Sequence, residues 1–531
     1  MPLSIDDLEL AWRRVLLDHA DDRVFVTNPV IFGVLSSSAP AWLRELGASL
    51  ADGAYAAAPA ALVEVPKGRG AVRPGTWLQP SDQVVYTACV GKILPQLVPL
   101  LTFDRDPVDH AYQIVAPQAT AWLKSRFKCW DEFRLRSLEL LDAGSTTMIT
   151  ADITGFYDHI ALEILFSDLR NAGVPPDVLA LLGRCLSRWA LVNGRGIPQG
   201  MSASDILAKL YLSTVDRALR EAGIQHVRYV DDYRIFCEGR PAAKRALLEL
   251  TRALRRRGLS LQSAKTDILP IDRARTLVDG IVPTLKPLAK HYLAEIARAA
   301  GIAPKYMTIV EAEDLLERRG VAPPTEMIRE AYRVFIEGED PFDKTMLHYL
   351  LNRLGKAKDA YAVHHALGLL QDYPEETKPV LRYLAASGQF AVSEERLIGL
   401  LTSPEAVYPY QHFQVVQARL LVDTPPSDEF LGFVRRMARA DRTPPFLRSA
   451  CVAFLAKFGS PADVEALADA YPNANSDTER AELLCSLYRL EEGRRNAILG
   501  QARRDGFLPG EAIRCVKEGR VPAFLGSTNA A

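Results

Sequence analysis

Two adjacent acids near the middle of the chain are flanked on both sides by strand-forming residues. Residues 226–237 read His-Val-Arg-Tyr-Val-Asp-Asp-Tyr-Arg-Ile-Phe-Cys, with Asp231 and Asp232 at the centre. β-branched and aromatic residues favour strands, and Asp tolerates the backbone geometry of a tight turn. The pattern therefore predicts a β-hairpin whose tip carries both carboxylates. An acidic pair in a turn is most often a solvated surface feature, so this segment alone does not establish a function.

A third acid ends a second predicted strand upstream. Residues 147–152 read Thr-Met-Ile-Thr-Ala-Asp, a strand pattern that stops at Asp152 and leads into a helix. A loop with the sequence Gly-Ile-Pro-Gln-Gly, at residues 196–200, lies between the two acidic segments. A strand-end acid and a hairpin with two more acids can converge on two Mg²⁺ ions, because hard cations prefer carboxylate oxygens. Such an ion pair suits phosphoryl transfer, in which it holds both the attacking and the leaving oxygen.

These three segments, in this order, resemble the palm of the reverse transcriptases. That family carries an acid followed by an aromatic residue, then a Gln-Gly loop, then an aromatic-x-Asp-Asp hairpin, and the resemblance covers residues 60–285. It implies an RNA-directed DNA polymerase, a nucleotidyltransferase that adds dNTPs with two Mg²⁺ ions or with Mn²⁺ in their place. The partners that it implies are dNTPs, a DNA product and a nucleic-acid template.

The resemblance assigns roles to the acids and to one lysine. Asp152 and Asp231 are the expected metal ligands, and the backbone carbonyl of Ile153 is a further candidate. Asp232 is expected to tune the site or to bind the metal used during assembly. Lys265 lies in a segment that looks like the family's Gly-Leu-x-Leu-x-x-x-Lys-Thr and is a candidate proton donor to the leaving pyrophosphate. A solvated surface lysine explains Lys265 equally well.

Five further residues are expected to contact the nucleotide or the template. Lys67 and Arg73 lie on the arms of a predicted hairpin that looks like the fingers hairpin of group II intron and related bacterial reverse transcriptases. There they would grip the triphosphate, and a solvated basic loop is the alternative. Gln199 and Gly200 would let the backbone approach template and nucleotide closely, as Gly permits. Tyr157 occupies the place where reverse transcriptases carry an aromatic that fills the space of a ribose 2′-OH, which predicts dNTP use.

Aromatic and basic residues alternate ahead of the palm. Such residues can stack bases and hold phosphates. An amphipathic helix that packs its aromatic face inward explains the same spacing, and this is the interpretation we favour. The residues are Trp122, Phe127, Trp130 and Phe133, interleaved with Lys124, Arg126, Lys128, Arg134 and Arg136.

The second half of the chain shows almost no strand pattern. Helix-length amphipathic runs are separated by Pro-, Gly- or Asp-rich breaks, which suggests stacked helix pairs of the HEAT type. The predicted fold class is therefore α+β, with right-hand polymerase fingers and palm followed by an all-α helical-repeat domain. The predicted domains are an N-terminal helical segment (1–60), fingers (61–145), palm (146–285) and helical repeats (286–531).

The amino-acid composition limits the classes of protein to which this chain can belong. Lys plus Arg number 64 against 65 for Asp plus Glu, which argues against a protein that coats nucleic acid non-specifically. The seven cysteines are scattered and form no C-x-x-C pair, which fits a reducing compartment and gives no support for structural zinc. We also expect no secretion signal and no apolar run long enough to cross a membrane. A cytoplasmic location is predicted.

A polymerase core followed by helical repeats resembles the abortive-infection and unknown-group bacterial reverse transcriptases. These act in anti-phage defence, so the resemblance implies a cytoplasmic homo-oligomer that makes DNA without an ordinary primer. In some members synthesis is untemplated and starts from a tyrosine hydroxyl, and in others a partner non-coding RNA is the template. Tyr55, Tyr408 and Tyr410 are candidate priming residues, although any given tyrosine is more often part of a core.

Two other classes of function stay open. One is a mobile-element enzyme acting on retron or group II intron RNA, which a dedicated thumb and a DNA-binding tail would support. Residues 277–282 are predicted to form a short sheet that grips the primer end, and Asp279 there replaces the Thr of the retron Val-Thr-Gly. The other is a catalytically idle scaffold whose helical repeats bind a phage or host protein. A broken acid triad would support that alternative, and the triad is intact.

Overall fold

Most of the residues described by the computed structural model are helical, and these residues are 2–68, 70–101, 107–279, 325–337, 342–502 and 505–526. They form two compact units. Unit 1 contains residues 1–25, 43–62 and 75–281, and unit 2 contains residues 26–42, 63–74 and 282–531. The finer boundaries predicted at residues 60 and 145 stay predictions.

The helices and strands are as follows. Up to residue 279 they are α1 (Ile5–Ala20), α2 (Pro29–Ser37), α3 (Ala39–Ala51), β1 (Ala61–Lys67), β2 (Ala71–Trp77), α4 (Pro80–Leu101), α5 (Arg126–Asp142), β3 (Thr147–Asp152), α6 (Phe156–His159), α7 (Leu162–Asn171), α8 (Pro176–Trp189), α9 (Ser202–Glu221), β4 (His226–Tyr229), β5 (Asp232–Cys237), α10 (Arg240–Arg256), β6 (Asp267–Pro270) and α11 (Ile271–Asp279). From residue 325 they are α12 (Thr325–Glu337), α13 (Lys344–Lys356), α14 (Val363–Asp372), α15 (Thr377–Ala386), α16 (Glu394–Thr402), α17 (Pro409–Leu420), α18 (Asp428–Arg439), α19 (Pro445–Phe458), α20 (Pro461–Ala470), α21 (Asp477–Ser486), α22 (Glu492–Gln501), α23 (Phe507–Lys517) and α24 (Val521–Gly526).

A four-stranded antiparallel sheet with the strand order β4-β5-β3-β6 forms the centre of unit 1. Helix α9 packs against α4, α7 and α10 in the same unit and is buried without interruption from Ser202 to Ser213. A helix that is buried around most of its circumference belongs to a core. The sheet and this helix hold the segments that carry the predicted motifs.

Helix α4 corrects one expectation. It is the one helix among the described residues that is long and apolar enough to cross a membrane by length and composition, so the prediction that no such run exists was wrong. Most of its apolar window is buried inside the fold, where it contacts α1, α8 and α9. The same test is passed by core helices of globular proteins, and packing of this kind is what such a core helix shows.

Helix α11 corrects a second expectation from the sequence. Residues 277–279 are helical, so the predicted short sheet at 277–282 is wrong for this part, and residues 280–282 lie outside the described residues. The buried side chains Ala274 and Val278 are four positions apart and lie on one face. That face packs the helix against α5, β3 and β6.

Among the residues that the structure describes, the regular secondary structure of unit 2 is helical apart from its part of the β1–β2 hairpin. Alternate helices pack on one another in a continuous row that runs α13, α15, α17, α19, α21, α23. A second row contains α14, α16 and α18. Helix α2 also belongs to this unit and packs against α21, α23 and α24. Each helix pair therefore contacts the pair before it and the pair after it.

Serine side chains cap the first turns of two helices. Ser4 caps α1 through a capping box with Asp7. Ser476 caps α21 by accepting a hydrogen bond from the Glu479 N–H. The Glu479 carboxylate accepts from the backbone N–H of Asn475, so only half of a capping box forms there.

Candidate active site

The two acids of the hairpin lie at a strained two-residue loop. Tyr229 and Asp232 are the last pair of the β4–β5 ladder, and Val230 and Asp231 connect them. Val230 has φ +57°, a left-handed conformation that is rare for a β-branched residue. Its carbonyl accepts a 2.6 Å hydrogen bond from Nη1 of Arg228. Backbone strain of this kind persists where the surroundings hold it, and it is concentrated at functional sites.

Arg228 is itself held by a buried charge network. Its Nη2 lies 2.6 Å from Oδ2 of Asp216 and 2.9 Å from Oδ2 of Asp109, and Lys209 pairs with the same Asp109 oxygen at 2.8 Å. Burial opposes ionisation of Asp216, but the charge and hydrogen bonds of Arg228, together with the contribution of His226, outweigh it and hold the pKa of that carboxyl below its ordinary value. The loop that carries Asp231 is thus anchored to the interior of unit 1.

The sheet register brings the strand-end acid to the hairpin. Asp152, the last residue of β3, pairs directly with Asp232, the first residue of β5, and Asp231 precedes the latter in the loop. Burial raises the pKa of Asp232 to about 6; Arg234 opposes this, and the charges of Asp231 and Asp152 add to it. Asp232 is therefore close enough to each of the other two predicted acids to be repelled by it.

The donor set suits a hard divalent cation, because it consists of carboxylates whose mutual repulsion a cation would relieve. Within the described residues, no three His, Cys, Asp or Glu side chains are grouped closely enough to hold a metal ion as they stand. Oδ2 of Asp152 instead lies 2.8 Å from Nζ of Lys265, on the 3₁₀ turn Ser263–Lys265. The assignment of Asp152, Asp231 and Asp232 as metal ligands stays a prediction.

Ile153 pairs with Leu261 in a short bridge beside the acids. The hydrogen bonds of this bridge are made by the neighbouring residues: Gln262 N–H donates to the Asp152 carbonyl at 2.7 Å, and Thr154 N–H donates to the Ser260 carbonyl at 2.9 Å. In an antiparallel pair of this type the peptide groups of the central residue point away from the partner strand. The Ile153 carbonyl is thus not used in this bridge, which leaves its predicted role as a ligand open.

Tyr157 is tied to a residue that the sequence analysis missed. Its hydroxyl donates a 2.7 Å hydrogen bond to Oδ1 of Asp205, and Nη1 of Arg23 lies 3.0 Å from Oδ2 of the same carboxylate. Burial raises the pKa of Asp205 to about 7, against the charge of Arg23 and the hydrogen bond from Tyr157. A lone acid within the apolar run of helix α9 was the available signal, because a buried carboxylate needs a polar partner.

The Gln-Gly loop packs against the N-terminal segment of unit 1. Gly200 has φ +99°, and a Cβ there would lie 3.2 Å from the Arg23 carbonyl oxygen and from ring carbons of Phe25. Glycine is thus required by backbone geometry and by close packing. The Gln199 amide donates to Oδ1 of Asp158 at 3.0 Å. Contact of either residue with template or nucleotide stays a prediction.

The remaining predicted residues lie at several places. Lys67 is the last residue of β1 and Arg73 lies in β2, in the part of the hairpin that belongs to unit 2. The Tyr55 hydroxyl donates a 2.6 Å hydrogen bond to buried Asp82, and burial together with that carboxylate raises the pKa of Tyr55. Its hydroxyl is therefore harder to ionise than that of an exposed tyrosine.

The other two candidate priming residues, Tyr408 and Tyr410, are half-buried at the start of α17 in unit 2. The ring of Tyr410 stacks on Phe413, with ring centroids 6.1 Å apart. Their roles, like those of Lys67, Arg73 and Tyr55, stay predictions.

The aromatic residues ahead of the palm divide into two groups. Trp122 and Phe133 are buried, as the inward-facing interpretation predicts. Phe127 and Trp130 are 72% and 43% exposed, so that interpretation was wrong for these two. The exposed rings lie on the first two turns of α5, and that of Trp130 contacts the ring of Tyr229.

Comparison with known proteins gives one matching family model and several solved structures with low TM-scores. Residues 65–287 match the family model described as reverse transcriptase (RNA-dependent DNA polymerase). A search of curated proteins finds no match. One of the solved structures that match is telomerase from Candida albicans in complex with a TWJ fragment of telomeric RNA. The match has 13% sequence identity and a TM-score of 0.32, and it covers 69% of this chain and 62% of the telomerase chain.

Apo telomerase from Candida tropicalis matches at 11% identity and a TM-score of 0.31, covering 74% of this chain and 69% of that one. Human deoxyhypusine hydroxylase with glycerol matches at 19% identity and a TM-score of 0.18, covering 47% of this chain and 90% of that one. This chain spans 62% of the Candida albicans telomerase chain. The family match, in contrast, takes in the whole four-stranded sheet with its three acids, and we conclude that residues 65–287 are a reverse transcriptase domain.

Proposed function

We propose that this chain is a DNA polymerase that adds dNTPs to a growing strand, with two Mg²⁺ ions as cofactors and Mn²⁺ as a substitute. The observation that carries the proposal is the pairing of Asp152 with Asp232 across β3 and β5, with Asp231 in the adjoining loop. The pairing lies inside the reverse transcriptase domain. Asp152, Asp231 and the Ile153 carbonyl would hold the cations, which supply charge neutralisation for phosphoryl transfer when bound.

The other residues of unit 1 position the substrate and move a proton. Lys265, 2.8 Å from Asp152, would donate a proton to the leaving pyrophosphate. The Tyr157 ring, oriented by its hydrogen bond to Asp205, would exclude a ribose 2′-OH. Gly200, which packs closely against Arg23 and Phe25 with a left-handed backbone, would hold the Gln-Gly loop in the conformation that meets the template. Lys67 and Arg73 would bind the triphosphate by charge.

The experiment is incorporation of labelled dNTPs by the purified full-length chain. Reactions contain Mg²⁺ or Mn²⁺, with and without an RNA template and a DNA primer, and a parallel set contains chelator. The proposal expects metal-dependent incorporation into acid-insoluble product. Absence of labelled product under all conditions, together with absence of DNA attached to the chain as isolated, would contradict it.

A role in anti-phage defence is the finer part of the proposal. The alternating packing of helices α13 to α23 supports a HEAT-like stack that follows the polymerase domain along the chain. That order of domains resembles the order in the abortive-infection and unknown-group enzymes. We further propose a cytoplasmic homo-oligomer that begins synthesis on a tyrosine or on a partner non-coding RNA.

Mass measurement of the purified, nuclease-treated chain separates the two modes of priming. DNA attached to a peptide that contains Tyr55, Tyr408 or Tyr410 would identify the nucleophile. A chain of unmodified mass that copies a co-purifying RNA would favour the RNA-templated mode.

A further inference from the structure

We propose that Phe127 and Trp130 form a stacking site for an unpaired DNA or RNA strand beside the catalytic hairpin. The inference rests on the proposed polymerase function. Two aromatic side chains one turn apart on α5 are 72% and 43% exposed, although aromatic rings are normally among the most buried parts of a domain. Cys129 and Phe133 of the same helix are buried in the core.

The site adjoins the acids because α5 is attached to the hairpin. The Trp130 ring meets the Tyr229 ring edge-on at a centroid distance of 5.0 Å and an angle of 83°. The Tyr229 hydroxyl donates a 3.2 Å hydrogen bond to the Arg126 carbonyl, at the first residue of α5. Tyr229 pairs with Asp232. A strand end that reaches the acids would therefore have bases within reach of the exposed rings.

Contacts with buried side chains fix the position of the Trp130 ring. Its ring lies 5.5 Å from that of Phe133, which in turn lies 5.7 Å from Tyr229. The buried guanidinium of Arg234 lies 4.1 Å from the Phe133 centroid and 5.8 Å from that of Trp130. Nη1 of Arg234 donates to the Ser137 hydroxyl at 3.0 Å, so the cation is fixed as well. A ring that is already ordered loses little entropy when a base stacks on it.

The positive charges beside the two exposed rings favour a nucleic-acid strand as the ligand. Arg126 and Lys128 are exposed on either side of Phe127, and the Arg126 guanidinium lies 5.4 Å from the Phe127 centroid. Aromatic faces interleaved with cations bind single strands, because the rings stack on bases while the cations contact phosphates. Every base has a π-face, so the site would bind strands of any sequence. DNA and RNA share this chemistry, and the measurement must separate them.

The test measures binding without synthesis. Labelled oligo(dT) and oligo(U), each about 15 nucleotides long to exceed a typical single-strand site, are titrated with full-length protein in anisotropy experiments without dNTPs. Phe127→Leu and Trp130→Leu keep the apolar bulk and remove the aromatic face. Leu135→Ala is the matched control, because Leu135 is an exposed apolar residue on the same helix.

We expect each aromatic variant to weaken binding of at least one strand type by about tenfold or more, and the control to leave binding unchanged. The strand type that responds identifies the source. Phe127→Leu is the decisive variant, because Trp130 supports the hairpin and its replacement could disturb folding, which the melting temperature would reveal. We also expect Lys128→Gln to reduce the slope of log Kd against log salt concentration by about one.

Unchanged affinity of Phe127→Leu for both strands would overturn the inference, and this is also the result expected if the rings serve a protein partner. Failure of the inference and failure of the proposed function are distinguishable. A wild-type chain that adds dNTPs while Phe127→Leu binds strands normally would refute only the stacking site. Ring-dependent strand binding without any dNTP addition would refute only the polymerase.

Discussion

The Tyr157 hydroxyl donates a 2.7 Å hydrogen bond to Oδ1 of Asp205, and the other oxygen of that carboxylate is 3.0 Å from Nη1 of Arg23. The ring of Tyr157 also packs against Phe156, with centroids 5.4 Å apart. The aromatic residue predicted to select the sugar is thus oriented at its hydroxyl as well as at its ring. Its position depends on helix α9 and on the N-terminal segment, which lie far from it along the chain.

Replacing Tyr157 tests the sugar selection. Tyr157→Ala or Tyr157→Gly opens the space that a ribose 2′-OH would need, so we expect rNTP incorporation relative to dNTP incorporation to rise about tenfold or more. Tyr157→Phe is the control, because it keeps the ring and removes only the hydrogen bond to Asp205. Competition between labelled rNTP and dNTP measures the ratio. An alanine variant that discriminates as strictly as wild type would show that Tyr157 is not the gate.

Asp231→Asn tests the acid triad. An amide in place of the carboxylate removes the negative charge that a divalent cation needs, so we expect dNTP addition to fall by about a thousandfold or more. Because the loop is half-exposed and anchored by Arg228, the melting temperature should stay close to that of wild type. Asp267→Asn, at an exposed acid on β6 of the same sheet, should remain active. An active Asp231→Asn enzyme would refute the site.

Lys265→Met separates two roles for this lysine. If Lys265 donates a proton to pyrophosphate, the rate of addition should fall about a hundredfold with little change in the KM for dNTP. If it only balances the charge of Asp152, 2.8 Å away, the variant should keep its rate and reach half-maximal activity at a lower Mg²⁺ concentration. Lys244→Met, at an exposed lysine on α10, controls for general loss of positive charge. We expect the first result.

Gly200→Ala tests the packing of the Gln-Gly loop. The new Cβ would lie 3.2 Å from Phe25 and from the Arg23 carbonyl, in addition to the cost of a left-handed backbone. Gly223→Ala carries the backbone cost alone, since φ there is +70° and no atom lies within 4 Å of the added Cβ. We expect Gly200→Ala to lose about 1 kcal/mol or more of unfolding free energy beyond the control, and to lose dNTP addition. Equal melting temperatures for the two variants would contradict this.

The pairing of Asp152 with Asp232 could be predicted from the sequence, because it depends on local patterns. Alternating strand residues, a turn-tolerant Asp and a strand-end acid are all visible in short windows. Resemblance supplied the order of these segments and hence their convergence. The strained Val230 was not foreseen, since its left-handed conformation depends on tertiary support from Arg228.

Contacts between segments that are distant along the chain could not be predicted from the sequence. Neither Asp205 nor Arg23 belongs to a motif, and their partnership with Tyr157 exists only once α9 and the N-terminal segment have packed. The exposure of Phe127 could not be separated from the burial of Phe133, because aromatic spacing alone does not say which side faces the core. At α11, the family resemblance favoured a strand, whereas the structure has a helix whose buried residues Ala274 and Val278 lie one turn apart.

Glu482 in unit 2 gives a prediction that does not depend on catalysis. This residue of α21 is buried, and its Oε1 accepts hydrogen bonds from the neutral side chains of Asn28 and Ser449. Burial raises the pKa of Glu482 from 4.5 to about 7, and the hydrogen bonds only partly oppose this. The folded state therefore holds the proton more tightly than the unfolded state between these two pH values.

The sign of the resulting pH dependence follows from linkage. The stabilising contribution of the protonated Glu482 is fully present below about pH 4.5 and is lost as the pH rises to about 7, at up to about 1.4 kcal/mol per pH unit. Glu482→Gln keeps the acceptor oxygen and cannot ionise, so its melting temperature relative to wild type should rise across this window and level off above it. Thermal unfolding of both proteins at several pH values between 5 and 8 measures the difference. Glu395→Gln, at an exposed acid on α16 of the same unit, is the control and should follow wild type. A constant difference between Glu482→Gln and wild type at all pH values would mean that the carboxyl titrates in the folded state as it does in the unfolded chain.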